Sequence, residues 1–177
     1  MKKILILSSS PRPTGNTDRL CNAFRKGAME AGHEVEKVWL GNKQIGFCRA
    51  CYCCHNGPCP QHDAAAGIVD KMLKADVIVM ATPVYFYTMS AQLKALIDRS
   101  VMVYPRIINK TFYYLMAMAD EDGEMFKGTI EALRGFVECC EGSKEAGMVC
   151  AKGVYEVGTI DATHYLDEAY ELGKSIH

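Results

Sequence analysis

Five cysteines, Cys48, Cys51, Cys53, Cys54 and Cys59, fall within twelve residues, while Cys21, Cys139, Cys140 and Cys150 are scattered. Four of the five follow the spacing Cys48-x2-Cys51-x2-Cys54-x4-Cys59, and Cys53 falls outside it. Thiolates two residues apart in irregular backbone can converge on an iron–sulfur cubane or on a tetrahedral zinc. A zinc site could recruit His55 or His62, although surface imidazoles explain both as well. Zinc has no redox chemistry and would reduce the segment to a structural staple. Free or disulfide-exchanging thiols around a substrate or an interface are the third reading.

A second group of polar residues precedes the cysteines. Ser8-Ser9-Ser10-Pro11-Arg12-Pro13-Thr14-Gly15-Asn16-Thr17 follows a short apolar run and leads into a helical pattern. The first N–H groups of a helix lack intrahelical partners, so a loop of hydroxyl, amide and guanidinium donors at that point is a ready anion site. A phosphomonoester there gains charge-assisted hydrogen bonds without a dedicated lysine. Neither Gly-x-Gly-x-x-Gly nor a Walker A loop is present, which argues against a dinucleotide fingerprint and a P-loop nucleotidase. The plain alternative is a capped loop with no ligand, and the position after the first strand favours phosphate.

A third group is the aromatic loop Thr82-Pro83-Val84-Tyr85-Phe86-Tyr87-Thr88-Met89. Together, Ser10 to Thr17, Thr82 to Phe86 and Leu93-Lys94-Ala95-Leu96-Ile97-Asp98-Arg99 resemble the NADPH-dependent FMN reductase family and its relatives among the iron–sulfur flavoproteins. The resemblance implies a flavodoxin-like sheet of order 2-1-3-4-5. It implies FMN phosphate at Ser10, Arg12, Thr14, Asn16 and Thr17, and Ser8, read from the loop itself, is a further donor. It implies an isoalloxazine ring against Pro83, Val84, Tyr85 and Phe86, with Ala117, Met118, Ala119 and Asp120 on its other side. Tyr87 and Met89 fit a core or an interface at least as well. The cysteine spacing resembles the compact motif of the iron–sulfur flavoproteins, which implies a [4Fe–4S] cluster on Cys48, Cys51, Cys54 and Cys59. A homodimer or a tetramer is likewise implied.

With FMN present no general acid–base set is required, because the cofactor carries the chemistry. The resemblance implies an oxidoreductase that takes hydride from NAD(P)H as co-substrate and passes electrons to a quinone, free flavin, azo or nitro compound, or protein. With a cluster, the alternative is an iron–sulfur flavoprotein serving ferredoxin-type partners without a small-molecule substrate. A plain flavodoxin-like carrier would be strongly acidic, and the net charge of −1 counts against it. Lys94 and Asp98, at i,i+4, read as a helix-surface pair, and Arg99 beside them reads as structural.

These residues need elements to hold them. Ile4 to Leu7 is an unbroken apolar run, the mark of a strand buried on both faces of a parallel sheet. A helix is expected from Thr17, with Leu20, Phe24 and Ala28 inward, stopping near Gly32. Val35 to Leu40 reads as the second strand, and Gly41 to Pro60 has no sustained periodicity and is long for a connector. Asp63 is placed to cap a helix through Leu73. Val77 to Ala81 is the third strand, ended by Thr82-Pro83, and Ser90 opens the next helix. Thr111 to Ala117, a helix over Phe126 to Cys140, Ala146 to Cys150 and a last helix ending near Lys174 complete the pattern. Five strands alternating with five helices favour a three-layer α/β fold with one five-stranded parallel sheet, its ligand site beyond the strand C-termini.

The chain has 177 residues, which fits one domain spanning 1–177. With 49% hydrophobic and 23% charged residues it is globular in composition rather than disordered. No Lys/Arg run supports a nucleic-acid partner, and no apolar stretch is long enough to span a bilayer. Met1-Lys2-Lys3 begins like a signal peptide but lacks its apolar region, so a cytoplasmic setting is expected.

Overall fold

The computed structural model describes residues 1–177. Its first strand, β1 (Lys3–Ser8), shows why an unbroken apolar run was required. Successive strand side chains point to opposite faces, so Ile4 and Ile6 enter one core while Leu5 and Leu7 enter another. The remaining parallel strands are β2 (Glu34–Trp39), β3 (Val77–Tyr85), β4 (Thr111–Ala117) and β5 (Lys144–Ala151). They lie side by side in the order β2-β1-β3-β4-β5, the flavodoxin-like order expected.

Helices α1 (Asn16–Glu30) and α5 (Tyr165–Lys174) cover the Ile4 and Ile6 face. The other face is covered by α2 (Ala64–Lys74), α3 (Ala91–Arg99) and α4 (Lys127–Glu138). Asp63 caps α2 as its position in the sequence required, accepting the Ala65 N–H at 3.0 Å. Helices α1 and α5 meet at glycines. A Cβ on Gly27 would stand 2.0 Å from the Tyr170 carbonyl oxygen, and one on Gly173 would stand 2.1 Å from that of Phe24. Only hydrogen at both positions lets the two backbones approach this closely.

Two expectations are corrected. Thr82-Pro83 does not end β3, which runs on to Tyr85. The physical reason is that β1 pairs with β3 only as far as Ser8 opposite Ala81, whereas β4 pairs on to Ala117 opposite Pro83. Pro83 therefore lies where one side of the strand is already an edge, the place where a missing N–H is tolerated. The sheet also gains a sixth member, the two-residue strand Thr88–Met89, antiparallel to Val84 and Tyr85. The segment between β2 and α2 contains only short 3-10 turns at Leu40–Asn42 and Cys53–His55, as its lack of periodicity required.

Candidate functional site: a strand-end cleft and a cysteine cavity

At the C-terminal end of β1 the chain turns through a loop that Gly15 makes possible. A Cβ there would stand 2.9 Å from Ser10 Oγ and 3.2 Å from the Arg12 carbonyl oxygen. Gly15 is also the N-cap of α1 and offers no side-chain cap, which leaves the first N–H groups of α1 for an outside acceptor. Trp39 at the end of β2 braces the loop, its indole Nε1 donating to the Ser10 carbonyl at 2.7 Å. Beneath it, Asp18 accepts from Ser8 Oγ at 2.8 Å and from Lys37 Nζ at 2.9 Å. Lys37 balances the one acidic side chain in the first turn of α1, so an anion at the helix end meets no uncompensated negative charge. Cys21 lies in the core below, its thiol pushed up to about 12 by burial and then by Asp18, and is inert.

β3 is tied to the same place by serines and a threonine. Ser9 Oγ donates to the Ala81 carbonyl at 2.7 Å, Ser90 Oγ donates to Ser9 Oγ at 2.8 Å, and Thr82 Oγ1 accepts the Ser90 N–H at 2.9 Å. Beyond Thr82 the aromatic loop forms a hairpin with Phe86 and Tyr87 at its two central positions, at φ of 48° and 65°. Positive φ at both central residues belongs to a type I′ turn, which ordinarily selects Asn-Gly or Asp-Gly. Phe86 is also 99% exposed. Of the six non-glycine residues with positive φ, five lie in three loops: Thr14 in the first, Ala50 and Tyr52 among the cysteines, Phe86 and Tyr87 here. Such strain persists only where surrounding structure or function holds it.

The loops after β1, β3 and β4 line one cleft of about 280 Å³ with mainly apolar walls. Arg12, Asn16 and Thr17 form its polar end, Pro83, Val84, Tyr85 and Phe86 one wall, and Ala117, Met118 and Ala119 another. Ser8, Ser10, Thr14 and Asp120, also expected at the ligand, do not line it. Ser8 is turned inward to Asp18, Ser10 Oγ engages the backbone of Arg12, and Thr14 is exposed. Asp120 lines an adjoining hollow and accepts the Asp122 N–H at 2.8 Å. Asn16 reaches the cleft, but its amide group serves the chain itself. Nδ2 donates to the carbonyls of Val154 and Glu156 at 3.2 and 2.9 Å, and Oδ1 accepts the Gly158 N–H at 2.9 Å.

That contact brings in two residues the sequence reading passed over, Val154 and Tyr155, which complete the cleft. The Arg12 guanidinium donates to the Tyr155 carbonyl at 3.4 Å across its rim. Their segment follows the C-terminal end of β5, the same topological position as the other three loops, and this was the available signal.

The cysteines form a separate cavity of about 240 Å³, on which Cys48, Cys51, Cys54 and Cys59 all open. Cys53 does not line it but donates to the Cys51 carbonyl at 3.6 Å. Hydrogen bonding from the backbone and then the side chain of Cys53 holds the Cys51 thiol below its ordinary value, and the same contact pushes Cys53 up. His55 lines the cavity beside Tyr52, whereas His62 is exposed outside it. No three of these side chains converge closely enough to hold a metal ion. In donor type the four thiols suit a thiolate-bound centre, and the cavity adds a buried cation to offset their charge.

The cation is Arg99, whose side chain is only 1% exposed. Nη1 donates to Asp63 Oδ2 at 2.6 Å and to the Gly46 carbonyl at 2.9 Å, and Nη2 lies 3.4 Å from Cys59 Sγ. Burial alone would raise the Asp63 carboxyl. The hydrogen bonds from Arg99, then from the N–H groups of Gly46 and Ala65, outweigh it and hold that carboxyl below its ordinary value. Lys94 and Asp98 form the exposed pair their spacing required, at 2.6 Å.

The sequence model of the NADPH-dependent FMN reductase family matches residues 2–129, a span that holds the phosphate loop, the cysteines, the hairpin and β4. An iron–sulfur flavoprotein of Methanocaldococcus jannaschii is 42% identical over 99 residues, 55% of this chain and 51% of its own length. One of Methanosarcina thermophila is 39% identical over 102 residues, 57% of this chain and 53% of its own. The chain thus spans about half the length of the curated relatives it matches. Among solved structures, the NAD(P)H:quinone oxidoreductase from Methanothermobacter marburgensis superposes with a TM-score of 0.81 at 18% identity, covering 99% of this chain and 97% of that one. An azoreductase from Bacillus anthracis gives 0.76 at 16% identity over 99% and 100%. These two establish likeness of fold, and no helix here is long and apolar enough to cross a membrane. With the family model matching well over half of its residues, the chain belongs to the NADPH-dependent FMN reductase family.

Proposed function

We propose that this chain is a single-domain FMN-dependent oxidoreductase that takes electrons from NAD(P)H and delivers them to a quinone, flavin, azo or nitro compound, or protein. The observation that carries the reading is the convergence of four strand-end loops on one apolar cleft whose polar end is an uncapped helix N-terminus. FMN would supply hydride-accepting ring chemistry there. The chain's part is to bind and to shield. Arg12, Thr17 and the first N–H groups of α1 face the phosphate, with Ser10 and Thr14 shaping the loop around it. Pro83 to Phe86 and Ala117 to Ala119 wall the ring, with Asp120 bracing the turn behind them. Exposed Tyr85, Phe86 and Tyr155 at the mouth suit coverage by a second copy of the chain, in a homodimer or tetramer.

The cysteine cavity favours a second component. Cys48, Cys51, Cys54 and Cys59 would hold a [4Fe–4S] cluster, which exchanges single electrons and would fit the chain for redox-protein partners. All nine cysteines are free, in keeping with a reducing cytoplasm.

The test is spectroscopic. Trp39, the only tryptophan, braces the phosphate loop, so FMN added to flavin-free protein should quench its fluorescence saturably. Anaerobically purified protein should show flavin absorbance that NADH or NADPH bleaches, and iron and sulfide analysis should return four of each per chain. Protein that fails to retain FMN would overturn the oxidoreductase reading. Flavin without iron or sulfide after anaerobic reconstitution would overturn the cluster alone.

A further inference from the structure

We infer that Arg99 is a positioning residue that sets the electron affinity of the cysteine cavity. This rests on the reading that the four thiols hold an iron–sulfur cluster. Arg99 is not among the expected ligands, yet its guanidinium is the most deeply buried charged group at the cavity. It reaches the chain on both sides of the cysteines, through the Gly46 carbonyl at 2.9 Å before them and the Gln61 carbonyl at 3.5 Å after them. It touches one ligand directly, Cys59 Sγ at 3.4 Å. Its Nε is buried with no hydrogen-bond partner. A structural clamp needs no free donor, so the group is not fully used by holding the loop.

The electrostatic consequence has a definite sign. Guanidinium stays protonated in proteins, so Arg99 places a permanent positive charge beside the thiolates. Reduction adds one electron and makes the centre more negative, so a neighbouring buried cation and a hydrogen bond to sulfur both favour the reduced form. Asp63, paired to Arg99 at 2.6 Å, partly cancels that charge. Arg49 also lines the cavity but is exposed, so solvent and salt screen it. Three charges at one cavity therefore make three different predictions, which a merely structural role for Arg99 does not.

The experiment uses the full chain carrying FMN, loaded anaerobically with iron and sulfide. Iron per chain is measured first. The midpoint potential of the cluster is then read by electron paramagnetic resonance during stepwise reduction with dithionite, and that of the flavin by absorbance. Arg99→Gln should lower the cluster midpoint, Asp63→Asn should raise it, Arg49→Gln should leave it nearly unmoved, and the flavin midpoint should hold in all three. Arg99→Lys, which keeps the charge, should fall between wild type and Arg99→Gln. Should Arg99→Gln fail to retain iron, the opposed shifts of Asp63→Asn upward and Arg99→Lys downward still decide the matter. Shifts of the same sign, or no shift, in chains that hold iron would overturn this inference alone. A wild-type chain that takes up no iron would overturn the cluster reading and this inference with it.

Discussion

Asn16 and Gly158 join the head of α1 to the loop after β5, the Asn16 amide oxygen accepting the Gly158 N–H at 2.9 Å. The other half of the same amide donates to Val154 and Glu156, so one side chain at the head of α1 fixes the loop after β5. Asn16→Ala should destabilise the fold by about 1–3 kcal/mol. It should also weaken FMN binding about tenfold or more, as Tyr155 loses its support. Asn16→Asp should do no better, since a carboxylate cannot donate to two carbonyls. Chemical denaturation and quenching of Trp39 fluorescence read the two effects, and FMN affinity at the wild-type level in Asn16→Ala would refute the clamp.

The hairpin stores strain where the ring wall is built. Replacing Phe86-Tyr87 by Asn-Gly supplies the residues that a type I′ turn selects and should stabilise the chain by about 1–2 kcal/mol. The same change removes Phe86 from the wall of the cleft and should lower FMN affinity. A shift of the urea midpoint upward together with weaker FMN binding is the expected pair of results. Loss of stability instead would show that the two aromatics support the fold.

Asp63 should govern part of the acid limit of stability. Its carboxyl lies below the ordinary value in the folded chain. Its contribution is therefore complete above the unfolded carboxylate range and is lost as pH falls through the lower, folded value. Asp63→Asn should cost about 3 kcal/mol near neutrality, since it leaves Arg99 buried without its counter-ion. It should also flatten the fall in stability on acidification, because the titrating group is gone. Unfolding followed from neutral to acid pH tests both, and an unchanged acid slope would exclude Asp63 as its source.

Gly27→Ala tests the crossing of α1 and α5. The new methyl has no space before the Tyr170 carbonyl, so the helices must part, at a loss of about 2–4 kcal/mol. Thermal unfolding measures it, and a near-neutral change would mean that α5 shifts freely.

Much of this was legible in the chain because the relevant forces are local. The apolar runs of β1 and β3, the Asp63 cap and the loop position after β1 all follow from neighbours in sequence. The extension of β3 through Pro83 does not, since it depends on where β1 stops pairing. Arg99 is the instructive case. Leu93, Leu96 and Arg99 recur at i, i+3 and i+6, which puts the arginine on the buried stripe of α3 while Lys94 and Asp98 face outward. The period was visible, but charge argued for the surface, and its counter-ion lay thirty-six residues upstream. Asn16 was legible as a residue of the cleft and not as a clamp, because its partners lie more than a hundred residues away.

Helix α3 joins the two cavities mechanically. At nine residues it is a strut about 13 Å long. At its head, Ser90 is bolted to Ser9 and Thr82, and at its foot Arg99 is bolted to Asp63 and the neck of the cysteine segment. One short helix is therefore the common footing of the hairpin that walls the cleft and of the segment that carries the thiols.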